Sequence, residues 1–141
     1  MSRFLPAFLA LLATLVLAAP ASAFPGATVR GTEASATYAG VHLLVRVVCP
    51  PRTQATTRPG DFSFCRGTGR FYVGSRLVAT GPFSVRTFDS HIERMNVLAG
   101  ARSLFRPGRR PRVTWVIASH DGQGQTATNR GLFSVFNPFK R

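Results

Sequence analysis

Residues 41–49 read VHLLVRVVC and residues 65–73 read CRGTGRFYV. In the first run Val41, Leu43, Val45, Val47 and Cys49 share one parity, so a pleated strand sends all five side chains to one face, and that face belongs in a core. In the second run Cys65, Gly67, Gly69, Phe71 and Val73 repeat the pattern. One cysteine therefore ends a strand and the other begins one, and a Cys49–Cys65 disulfide ties the two together.

The pairing rests on where the chain goes. Ser2 and Arg3 open a short positive start, residues 5–19 are almost wholly apolar, and Ala21-Ser22-Ala23 supplies a small-x-small cleavage site. Residues 1–23 read as a secretory signal, because the apolar run is shorter than the roughly 20 residues a spanning helix needs. The mature chain is expected to begin at Phe24 and to be secreted, extracellular or in the cell envelope. In that oxidising space two thiols pair, whereas in a cytosolic chain they would suggest metal or redox chemistry. The bond closes a loop of about 15 residues and stabilises by about 3 kcal/mol in the chain-entropy model.

Removing residues 1–23 from 141 leaves 118, one domain over 24–141 with its core in 27–136. The whole chain has 18 basic and 5 acidic residues, a formal net charge of +13. Such an excess attracts polyanions. Every basic residue except Lys140 is arginine, however, and an Arg-, Ala- and Gly-heavy vocabulary is also what a GC-rich genome writes without selection for binding.

Outward from the cysteines, residues 27–30 and 35–38 suit edge strands, and Pro50-Pro51 stops the 41–49 strand sharply. Residues 52–61 read as an exposed loop inside the disulfide ring. Residues 69–73 and 76–79 form a hairpin about Gly74-Ser75. Strands follow at 83–86 and at 91–98, the latter with Met95 and Val97 inward. Residues 99–105 break the alternation, and Leu104 and Phe105 plug one end of the core. Val113, Trp115 and Ile117 share a face of a central strand, and Asp121-Gly122-Gln123-Gly124 turns into a last strand over 130–136. Seven to nine short strands, with turn signals every 8 to 12 residues, predict an all-β, antiparallel β-sandwich; a small β-barrel is the alternative.

The series Val45-Arg46-Val47-Val48-Cys49, Cys65-Arg66-Gly67-Thr68, Leu104-Phe105 and Asp121-Gly122-Gln123-Gly124 resembles the immunoglobulin-like modules, mostly of unassigned function, found in secreted and surface proteins of actinobacteria. The resemblance covers roughly 41–136 and implies an immunoglobulin-like sandwich. It departs from the antibody pattern because Trp115 follows both cysteines and they stand close together. The disulfide is thus expected to join neighbouring strands through a loop instead of pinning two sheets. Fold alone does not specify activity.

Chemistry is thin. The mature chain offers Glu33, Asp61, Asp89, Glu93 and Asp121, with His42, His91 and His120. Ser119-His120-Asp121 invites a hydrolase reading, but a triad is assembled in space, and consecutive residues at a strand end do not all face one another. No close-spaced ligand pair marks zinc, and the 121–124 turn has one carboxylate where calcium recruits several oxygens. No catalytic residue, metal or cofactor is expected.

Arg102, Arg106, Arg109, Arg110 and Arg112 form the candidate anion-binding cluster, since the guanidinium fork suits phosphate, sulfate and carboxylate. The leading expectation is a secreted, noncatalytic module with a structural or binding role at the cell envelope. The alternative is a protein binding polyanions or a membrane surface through that cluster, with anionic envelope polymer or lipid head groups as partners and no sequence-specific nucleic acid. A third class, small-ligand carrier or enzyme inhibitor, fits less well: the chromophore carriers of similar size are acidic with two disulfides.

Overall fold

Period-two alternation governs almost all of the chain seen in the computed structural model, which describes residues 24–30, 36–39, 41–50, 64–122 and 124–138. The strands are β1 (Thr28–Val29), β2 (Ala36–Ala39), β3 (His42–Val48), β4 (Phe64–Val73), β5 (Arg76–Arg86), β6 (Ser90–Val97), β7 (Arg112–His120) and β8 (Thr126–Phe136). A 3-10 helix, Ala99–Phe105, lies between β6 and β7. The expected signal segment at 1–23, the expected loop at 52–61, Glu33 and Asp61 lie outside the described residues.

The ladders follow the order β1-β3-β2-β8-β7-β4-β5-β6, and a further pairing of β3 with β6 closes the ring. Every pairing is antiparallel except the one between β2 and β8. Long ladders hold β3 to β6 on one side and β5, β4, β7 and β8 on the other. The two groups meet at narrow seams, Ala79↔Val97 with Thr80↔Asn96 and Ala36↔Val135 with Thr37↔Phe136. Two sheets packed face to face and joined at both edges are at once a sandwich and a nearly closed barrel, so both descriptions drawn from the sequence fit.

Inside, Leu43, Val45 and Val47 from β3, Phe71 from β4, Met95 and Val97 from β6, and Val113 and Ile117 from β7 are buried. Each such side chain contributes about 1.5–3 kcal/mol of transfer free energy. The 3-10 helix closes one end with Ala101 and Phe105, and Tyr38 stacks on Phe105 at 5.3 Å between ring centroids. Phe24 is buried with the core residues, Ser119 Oγ accepts a hydrogen bond from the Ala27 amide, and Asn129 Nδ2 donates to the carbonyls of Pro25 and Ala27.

Several expectations are corrected. Val41 is 41% exposed, because the β3 ladder starts at His42 and Val41 belongs to the preceding turn. Residues 76–79 and 83–86 belong to one strand, β5, whose ladder with β4 runs on through Gly81 and Pro82. Pro82 is tolerated where β5 has no ladder with β6, an edge position that spares an N–H. β8 begins at Thr126, four positions earlier than expected. Finally, β3 shares ladders with β1, β2 and β6 and β4 with β5 and β7, so the disulfide does not join neighbouring strands. It crosses between the two halves of the ring.

Candidate anion-binding surface

The Cys49–Cys65 bond is formed, with a Cα–Cα distance of 5.7 Å and both residues buried. Cys49 lies just past the β3 ladder, where its amide donates to the Asp89 carbonyl and its carbonyl accepts from the Phe88 amide. The turn from β5 to β6 therefore takes over where β3 stops, and the sulfur bridge holds the same point to β4. Phe88 is 78% exposed and has φ 69°.

The five arginines of the candidate cluster lie on the 3-10 helix and the connection into β7. Arg102 lies on the 3-10 helix and Arg106 directly follows it. The Arg109 amide donates to the Arg106 carbonyl across a turn in which Gly108 has φ 81°. The Arg110 guanidinium lies 5.4 Å from the Phe136 ring centroid, and Arg112 opens β7 opposite Ser134. All five are exposed and strung along the connection into β7.

A second set of arginines emerges only once strand neighbours are known. On β4, Arg66, Thr68 and Arg70 are exposed, opposite in parity to Cys65 and Phe71. β7 pairs Arg66 with His120, Thr68 with Ala118 and Arg70 with Val116; β8 then sets Thr126, Thr128 and Arg130 against those β7 residues. β5 adds Ser84 beside Arg66, Pro82 beside Thr68 and Thr80 beside Arg70. The outer face of these four strands thus carries successive rows, Thr126–His120–Arg66–Ser84, Thr128–Ala118–Thr68–Pro82 and Arg130–Val116–Arg70–Thr80. No acidic residue occupies them. Among the described residues no carboxylate lies within ion-pairing distance of Arg66, Arg70, Arg130 or the five connection arginines; the ion pair seen elsewhere joins His91 to Glu93 at 4.0 Å. The signal was present in the alternation of Arg66, Thr68 and Arg70, but its meaning depends on β7 and β8 lying alongside.

Ser119-His120-Asp121 is split by the strand pleat. Ser119 faces inward, 4% exposed, taking the Ala27 amide on its Oγ and donating to the Ala127 carbonyl at 3.5 Å. His120 faces outward. Asp121 is buried, and its Oδ1 accepts the Gln125 amide at 2.9 Å, fixing the turn into β8. His42 lies on β3, His91 on β6 and His120 on β7. Among the described residues no three His, Cys, Asp or Glu side chains gather as a metal would need.

No protein-family model and no curated protein matches the sequence. No helix among the described residues is long and apolar enough to cross a membrane.

Proposed function

We propose that the chain is a secreted, noncatalytic module of the immunoglobulin-like kind that engages anionic partners at the cell envelope through an arginine-covered surface. One observation carries this reading: Arg66, Arg70 and Arg130 on the sheet, and the connection from Arg102 to Arg112, present guanidinium groups to solvent with no carboxylate in reach among the described residues. Concentrated like charge raises the energy of the compact state and attracts counter-charge. A partner bearing phosphate, sulfate or carboxylate relieves that repulsion and takes paired hydrogen bonds from the guanidinium fork. The disulfide supports the extracellular setting, since such bonds persist in oxidising compartments.

The mature protein should be retained on a sulfated dextran matrix at low salt and pass through unmodified dextran. Equal retention on both, or hydrolytic turnover lost on His120→Ala, overturns the proposal. Small-ligand carriage finds less support. The depression described below is broad and open to solvent, and hydroxyl and basic side chains share its lining with small apolar ones.

A further inference from the structure

The rows on the outer face are uneven in height. The middle row, Thr128–Ala118–Thr68–Pro82, consists of short side chains, and the row before it contains His120 and Arg66. The result is an open depression of about 500 Å³ floored by Ala118, Thr68 and Pro82 and bordered by Arg66, His120 and Thr126. Arg70 and Arg130 stand on the row beyond. At about 3.4 Å per residue along a strand and about 4.8 Å between strands, Arg66 and Arg70 are about 13 Å apart, and the middle row crosses about 14 Å of sheet. An extended chain lying across the strands in the depression has Arg66 and His120 at its border and Arg70 and Arg130 one row farther on, outside the lining.

Resting on the anion-binding reading, we infer that this depression binds a linear anionic polysaccharide, a sugar polymer carrying carboxylate or sulfate groups, laid across β8, β7, β4 and β5. Arg66 on one side and Arg70 and Arg130 on the other take the acidic groups, and the Thr68 and Thr128 hydroxyls meet sugar hydroxyls. Charge complementarity fixes the sign of the occupant, since the three rows hold arginine and histidine and no acid. The floor fixes its kind. Single-stranded nucleic acid is held by stacking bases on aromatic rings; the rings in this lining are Phe83, which is 5% exposed, and the His120 imidazole at the border. Of the aromatic residues at the margins of this face, Phe64 has Arg66 and Arg86 at 5.1 Å and 5.9 Å from its centroid, Phe136 has Arg110 over it, and Tyr72 is half-buried on β4. A lipid surface, in turn, calls for protruding apolar side chains, whereas this site is recessed.

The test is calorimetric titration of the mature protein with polygalacturonate, dextran sulfate, neutral dextran and a thymidine oligonucleotide. Two variants probe the site: Arg66→Ala/Arg70→Ala, and Ala118→Trp, which fills the floor without altering charge. Arg30→Ala/Arg94→Ala removes the same charge elsewhere, and far-UV circular dichroism checks that each variant is folded. The account expects both anionic polysaccharides to bind and neutral dextran not to. Arg66→Ala/Arg70→Ala and Ala118→Trp should each weaken binding about tenfold or more, with Arg30→Ala/Arg94→Ala within about threefold of the parent. Equal losses for the two double variants, or no loss with Ala118→Trp, overturn the depression as the site while leaving anion binding intact. Tighter binding of the oligonucleotide, lost with Arg66 and Arg70, overturns the polysaccharide. Absence of binding to every polyanion overturns the anion-binding reading itself.

Discussion

Three single positions test how closely the backbones approach and how strictly the pleat sorts side chains. A Cβ at Gly67 would stand 1.9 Å from the Ala118 carbonyl oxygen, a backbone atom held in the β4–β7 ladder. Gly67→Ala must therefore push two central strands apart, and should lower stability by about 2 kcal/mol or more in a denaturant melt. Phe88 is the opposite case. It bears a left-handed φ of 69° that costs a non-glycine residue about 1–2 kcal/mol, and its ring is mostly in solvent. Part of that cost returns in Phe88→Gly, offset by the freer unfolded chain, so the variant should melt at a higher temperature by the equivalent of up to about 1 kcal/mol. Ser119 and His120 complete the set. Ser119→Ala leaves the Ala27 amide without its acceptor and should cost about 1–2 kcal/mol, whereas His120→Ala, on the outer face, should leave the melting temperature nearly unchanged. That Ser119, His120 and Asp121 do not all face one another was legible in the sequence, because alternation by two needs no knowledge of neighbours.

Among the elements, the strands reveal where sequence reading stops. The spacing of Val113, Trp115 and Ile117 is enough to place a central strand, and β7 does lie between β4 and β8. That β2 would run parallel to β8 through Ala36↔Val135 and Thr37↔Phe136, closing the ring, is a long-range pairing no local period encodes. The same gap explains the candidate site. Arg102 to Arg112 stand out because they crowd a short segment, which the structure places along the connection into β7 with Gly108 in its turn and Arg110 over Phe136. Arg66, Arg70 and Arg130 are far apart in the chain and share one face only through the β4–β7 and β7–β8 ladders. The disulfide is the exception, inferred correctly from compartment logic and two cysteines, though its crossing between non-paired strands was not. With the cysteines 16 positions apart in sequence, replacing both by alanine should lower the unfolding free energy by about 2–4 kcal/mol, read as a shift in denaturant midpoint. Because both sulfurs are taken up in the disulfide, alkylating reagent should find no thiol in the unreduced protein.

For the molecule as a whole, the governing facts are a ring-closed β fold stapled across its two halves and a surface whose cations outnumber its acids. The fold gives rigidity, so that groups on four strands keep their spacing, and the surplus charge gives long-range attraction. The account depends on an exposed four-strand face that carries Arg66, Arg70 and Arg130 and no acid, with a recess bordered by Arg66 and His120. The most direct test is the affinity of the mature protein for polygalacturonate across 50 to 500 mM sodium chloride. Counterion release predicts a linear fall of log K with log salt at a slope set by the number of arginines engaged, made shallower by Arg66→Ala/Arg70→Ala. An affinity that does not change with salt would contradict it.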